Sequence, residues 1–131
     1  MGRPHPTYAR SVAISDPDTE LVVHHSVVGR RCVLRMDGEI DVLTVQQLRD
    51  AVDEALDVGA LELWLDFTPT DFMDSTGLHA LLEAHTRIGA LNRSLIVICP
   101  QGTPVHRLLE LSGAGELIDL HPDVGSAQRA A

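Results

Sequence analysis

The stretch Leu61-Glu62-Leu63-Trp64-Leu65-Asp66-Phe67-Thr68-Pro69-Thr70-Asp71-Phe72-Met73-Asp74-Ser75-Thr76-Gly77-Leu78 decides how this chain folds. Its first seven residues form a near-continuous apolar run of strand length, the signature of a strand covered on both faces. A loop around Pro69 follows. Ser75 then opens a helical pattern carrying Leu78, Leu81, Leu82, Ile88 and Leu91. The same unit recurs on both sides. Upstream, Thr44 caps a predicted helix in which Val45, Leu48, Val52, Ala55 and Leu56 share a face, and Gly59 stops it. Before that, Leu21–Val28 and Arg31–Met36 read as a hairpin about Gly29. Downstream, Ser94–Cys99 is a second buried strand ended by Pro100, and Thr103-Pro104 begins a short helix through Val105, Leu108 and Leu109 that stops at Gly113. Leu117–Leu120 makes a last short strand, with a frayed helix after Asp123. The order β-β-α-β-α-β-α-β predicts one α/β domain over residues 20–131, with a mixed central sheet of four to five strands and helices packed against it. Residues 1–19 are polar, carry three prolines and read as a flexible arm.

At 131 residues the chain has room for one domain. Asp and Glu number 19 against 10 basic residues, a formal charge of −9, and every basic residue is arginine. The absence of lysine excludes a P-loop and Schiff-base chemistry. So acidic a domain offers no basic footprint to a phosphate backbone, which argues against nucleic acid as a direct partner. No stretch approaches the roughly 20 apolar residues of a membrane helix, and the N-terminus lacks the apolar centre of a signal peptide, so a cytoplasmic protein without membrane insertion is expected. Aromatic residues make up only 3% of the chain, so the core must be aliphatic. Cys32 and Cys99 lie within apolar runs and read as reduced thiols buried in strands, against a disulfide or a two-ligand metal site. The seven histidines form no ligand set: His24 and His25 point to opposite faces of a strand, and His79 and His85 are six apart. No metal and no cofactor are expected.

The chemically loaded segment lies where the buried strand gives way to the second helix. In open α/β sheets the carboxyl edge is where sites are built, and a helix N-terminus with unpaired N–H groups tolerates an anion. A phosphate on Ser75 is therefore acceptable there. Taken alone, Asp74-Ser75-Thr76 also reads as a good cap with no further role, and Asp37, Glu39 and Asp41 as ordinary turn and cap residues.

Together, Phe72-Met73-Asp74-Ser75-Thr76-Gly77-Leu78 and Gly38-Glu39-Ile40-Asp41 resemble the two motifs of the STAS family, and more narrowly of the bacterial anti-sigma factor antagonists, or anti-anti-sigma factors. The resemblance extends over roughly residues 20–120 and includes Thr103-Pro104-Val105 through Leu111-Ser112-Gly113, which is similar to the family's third helix. It implies partner switching. The unmodified antagonist binds an anti-sigma factor that is itself a serine kinase and so frees the sigma factor; phosphorylation of the serine breaks the complex, and a PP2C-type phosphatase restores it. Carried over by position, Ser75 is the phosphoacceptor and Asp74 supports phosphorylation and binding. Thr76 is the neighbouring hydroxyl, and Gly77, Asp71, Glu39 and Asp41 border the interface. His79 stands where many relatives carry a small residue, which bears on which kinase docks.

Other classes fit less well. A serine hydrolase using Ser75 with His79 or His85 fails at Met73, where the nucleophile elbow requires glycine. A receiver-type phospho-aspartate domain lacks its lysine and its acidic pair, and Asp66 reads instead as a loop-anchoring carboxylate. The remaining alternative is a STAS module that docks without switching, such as the cytoplasmic subunit of a lipid-transport ATPase. It too has no catalytic residues.

Overall fold

The computed structural model describes residues 21–130, so the arm expected over 1–19 lies outside the described residues. Strands Leu21–Val28 (β1) and Arg31–Ile40 (β2) form the expected hairpin, in a register that runs from Leu21 opposite Gly38 to Val28 opposite Arg31. Helix Val45–Asp57 (α1) follows, then strands Glu62–Asp66 (β3) and Thr70–Met73 (β4) and helix Ser75–Ala90 (α2). Strand Ser94–Ile98 (β5), helix Pro104–Ser112 (α3), a 3-10 turn at Ala114–Glu116, strand Asp119–His121 (β6) and helix Val124–Ala130 (α4) complete the chain. The sheet runs β1-β2-β3-β5-β6, and every pairing except β1 with β2 is parallel.

Period-two alternation explains the apolar run Leu61–Phe67. Leu63 and Leu65 enter the main core with Leu34, Met36 and Val97, under the buried stripes of α1 and α2. Trp64 and Ile98 face the other way and pack with Val33, Ile96 and Ala127 of α4. On that second face the Arg31 guanidinium lies 4.1 Å from the Trp64 ring centroid. Arg31 Nε and Trp64 Nε1 each donate to Glu62 Oε1 at 2.8 Å. The indole is thus buried with its N–H satisfied, as such a group requires. No helix among the described residues is long and apolar enough to cross a membrane.

Four expectations need correction. The sheet has six strands rather than four to five. The additional one is β4, read as loop because Thr70-Asp71-Phe72-Met73 is short and follows Pro69; its pairing with β2 supplies what four residues of propensity cannot. Asp37 to Ile40 also belong to a strand, not a turn, because β2 continues past β3 to meet β4. The last strand begins at Asp119 rather than Leu117, because Leu117 and Ile118 form the turn that closes the 3-10 segment after α3, with Leu117 N–H donating to the Ala114 carbonyl. Finally, Thr44 begins α1 but does not cap it with its side chain. Its hydroxyl donates to the Glu39 carbonyl at 2.8 Å and accepts from Asp41 N–H at 3.0 Å, while the Asp41 carboxylate accepts from the N–H groups of Leu43 and Thr44.

Two features hold β4 against β2. Gly38 takes a φ of +132° at the register irregularity between Gly38 and Glu39, a conformation that side chains disfavour. Thr70 is buried and its hydroxyl donates to the Met36 carbonyl at 2.6 Å. Replacing Thr70 with valine keeps the shape but strands that carbonyl, so Thr70→Val is expected to cost about 1–3 kcal/mol in urea unfolding. Thr70→Ser, which retains the hydroxyl, should cost less.

Candidate functional site at the carboxyl edge of the sheet

The site is assembled from two segments some thirty residues apart that the β2–β4 pairing brings together. Glu39 lies beside Phe72 and Ile40 beside Met73, and Asp74 N–H donates to the Ile40 carbonyl at 3.1 Å. The two motifs therefore end side by side. Asp41 then turns the chain into α1, and Asp74 turns it into α2.

Asp74 is the N-cap of α2. One carboxylate oxygen, Oδ1, accepts from Thr76 N–H at 2.9 Å, from Gly77 N–H at 3.4 Å and from the Thr76 hydroxyl at 2.5 Å. The Thr76 hydroxyl is the foremost cause, followed by these backbone N–H groups, that holds the Asp74 carboxyl below its usual range. Ser75 occupies the first helical position, exposed, and its hydroxyl makes no hydrogen bond among the described residues. His79 is exposed one turn further along α2, on the same side as Ser75. Asp71 is exposed on β4, and Glu39 of β2, opposite Phe72, is half-buried. Asp37 is directed elsewhere: it lies 3.7 Å from His24 of β1.

Gly77 has a packing role. A Cβ there would lie 2.6 Å from Met73 Cγ and 2.8 Å from Ile40 Cγ2, so only glycine lets the first turn of α2 settle onto the ends of β2 and β4. Asp66 anchors the intervening loop as expected, accepting from Thr68 N–H at 2.9 Å and from its hydroxyl at 2.6 Å. The two cysteines are free and buried; burial, with Glu54 adding to it, pushes the Cys32 thiol up to about 11, and burial also raises Cys99. Such thiols stay protonated and unreactive at neutral pH. Among the described residues no three His, Cys, Asp or Glu side chains come together as a metal site.

Sequence reasoning missed the apolar part of this surface. Val42 and Leu43, in the turn between β2 and α1, are 71% and 72% exposed, and Phe72 on β4 is 44% exposed. The available signal was an apolar pair placed ahead of the periodic stripe of α1 that starts at Val45. Exposed apolar residues on a surface that also carries carboxylates are the usual make-up of a binding surface.

Two outcomes test this geometry. Asp74→Ala removes the cap and should lower stability by about 0.5–2 kcal/mol. Because the folded chain holds this carboxyl below its unfolded value of about 3.9, its contribution is complete above that pH and fades as pH falls through the folded value. The difference between the parent and Asp74→Ala melting temperatures should accordingly shrink on acidification. Gly77→Ala should destabilise by about 1–3 kcal/mol despite the better helix propensity of alanine, because the added methyl overpacks the junction.

Comparison with known proteins agrees with this architecture. The STAS domain model matches residues 18–127. An anti-sigma F factor antagonist of Paenibacillus polymyxa is 32% identical over 99 residues, covering 75% of this chain and 81% of that protein. Among solved structures, an anti-sigma factor antagonist from Mycobacterium paratuberculosis superposes with a TM-score of 0.78 at 23% identity, over 89% of this chain and 97% of that one. The anti-sigma factor antagonist SpoIIAA in its unphosphorylated form gives 0.67 at 26% identity, over 82% and 95%. With its two motifs joined at one sheet edge and its matches extending over most of both chains, this protein belongs to the STAS domain family, among the anti-sigma factor antagonists.

Proposed function

We propose that this chain binds an anti-sigma factor serine kinase through the carboxyl edge of its sheet, that this binding releases a sigma factor, and that phosphorylation of Ser75 ends it. A PP2C-type phosphatase acting on the phosphorylated form resets the switch. The names of the relatives favour this reading over a module that docks without switching. The observation that carries it is the state of Ser75: an exposed, unbonded hydroxyl on the first residue of a helix, set between Asp74 and a surface with three exposed apolar side chains.

The physics of the switch follows from position. A phosphate adds about −1.5 to −2 charge at neutral pH. At the N-terminus of α2 the helix dipole favours that charge by about 0.3–1 kcal/mol, and repulsion from Asp71 and Asp74 opposes it by a similar amount. The fold is little affected, while a partner that must cover Ser75 meets an added, strongly hydrated dianion. Val42, Leu43 and Phe72 supply the apolar anchors of the contact, and Glu39, Asp41, Asp71 and His79 its polar rim. The role is one of binding, and no catalytic group is assigned.

Intact-mass measurement after incubation with an anti-sigma serine kinase and ATP tests the reading. One phosphate should be gained by the parent and none by Ser75→Ala. Ser75→Ala should keep affinity for the unmodified anti-sigma factor in calorimetry, and Ser75→Glu should weaken it by tenfold or more, each tenfold being about 1.4 kcal/mol. Equal affinities for the two variants would rule out a charge-driven switch. Leu43→Asp, at an exposed position, should leave the melting temperature nearly unchanged and weaken binding by at least tenfold. Circular dichroism of the phosphorylated and unmodified forms should superpose, with a shift in melting temperature of only a few degrees.

A further inference from the structure

Two hydroxyls stand side by side at the start of α2, and the structure treats them differently. The Thr76 hydroxyl donates to Asp74 Oδ1 at 2.5 Å, whereas Ser75 makes no such bond among the described residues. Thr76 is half-buried and Ser75 exposed. The same Asp74 oxygen also receives the Thr76 and Gly77 N–H groups, so the carboxylate is drawn over the helix end by three donors. A phosphate on Thr76 would replace its O–H···O⁻ hydrogen bond with two anions in contact, which disfavours Thr76 as the acceptor of the pair.

We infer that Thr76 is a positioning residue that makes Ser75 the only acceptor: its hydroxyl is withdrawn from transfer by Asp74, and in exchange it keeps the Asp74 carboxylate turned into the helix end and away from Ser75. The inference rests on the phosphorylation reading above. In the step it serves, the bond between the γ-phosphorus of ATP and its bridging oxygen breaks as the Ser75 Oγ–P bond forms. The Ser75 proton passes to the kinase and ADP leaves. Thr76 exchanges no proton. It holds Asp74 Oδ1 on the helix end, and among the described residues Ser75 makes no hydrogen bond that the kinase would have to break first. The hydroxyl, not the bulk, carries the role, so serine should replace threonine and valine should not.

The test has two arms. In the first, the Asp74 carboxyl is titrated by carbon-13 NMR in the parent, Thr76→Ser and Thr76→Val, with Thr76→Ala standing in should the valine variant not fold. Thr76→Ser should titrate like the parent, and Thr76→Val or Thr76→Ala should move upward toward the ordinary aspartate value. In the second arm, each protein is treated with ATP and an anti-sigma serine kinase that phosphorylates the parent, and the phosphate is mapped by fragmentation. The parent and Thr76→Ser should carry one phosphate on Ser75 at rates within about twofold, and Thr76→Val should react about tenfold more slowly, the scale of one hydrogen bond to a charged group. Phosphate on Thr76 of the parent, an unshifted Asp74 titration in Thr76→Val, or a Thr76→Val rate equal to the parent's would overturn the inference. If no anti-sigma kinase modifies the parent, the functional reading fails, while the titration arm still decides whether Thr76 governs Asp74.

Discussion

The carboxyl edge of this sheet depends on one strand having two partners in succession. Along Arg31–Arg35, β2 pairs with β3; along Gly38–Ile40 it pairs with β4 on the same side. Between the two, the chain leaves the sheet at Phe67 and returns at Thr70, with Gly38 N–H donating to the Pro69 carbonyl at 3.3 Å and Thr70 clamped to Met36. Proline is well suited to that break, since it offers a carbonyl and has no N–H to leave unpaired. The consequence is geometric. Two loops that would otherwise follow separate strands are brought to one place, each opening a helix, and the Ile40 carbonyl holds Asp74 directly.

At that place the electrostatics are arranged in opposition. The first turn of α2 presents N–H groups and the positive end of its dipole, with the Asp74 carboxylate as its cap and Asp71 and Asp41 on the adjoining strand and turn. Asp74 accepts from N–H groups of the helix it precedes, and Asp41 from those of the turn that leads into α1. In the switch proposed for Ser75, such a site accepts the charge of a phosphate without unfolding. A partner that must desolvate the same surface does not tolerate it, because burying an unpaired dianion costs far more than exposing one. Separation of fold stability from binding strength is what a reversible covalent switch requires.

Two close contacts restrict what the site can be built from. Gly77 is confined by Met73 and Ile40, and Asp74 receives two N–H groups and a hydroxyl on one oxygen. These constraints join the helix end to the two strand ends as one rigid unit, and they leave Ser75, Val42, Leu43 and Phe72 as the groups offered outward.

The sequence by itself determined the elements whose side chains repeat with a clear period. The two-faced strand at 62–66, the stripes of α1 and α2, the Thr103-Pro104 start of α3 and its stop at Gly113 are all where periodicity and capping chemistry put them, because those signals are local. The Asp74 cap was legible for the same reason, and so was the start of α2 at Ser75. What only the tertiary structure decided is non-local. That Thr70–Met73 is a strand, that Asp37–Ile40 is its partner rather than a turn, and that Thr44 serves Glu39 and Asp41 instead of capping α1 all depend on hydrogen bonds between distant or turned segments that four-residue propensities cannot predict. The apolar contribution of Val42, Leu43 and Phe72 was hidden for a related reason. Whether an apolar side chain is core or interface depends on what the fold lays against it, and the described residues leave Val42 and Leu43 largely bare and Phe72 only partly covered.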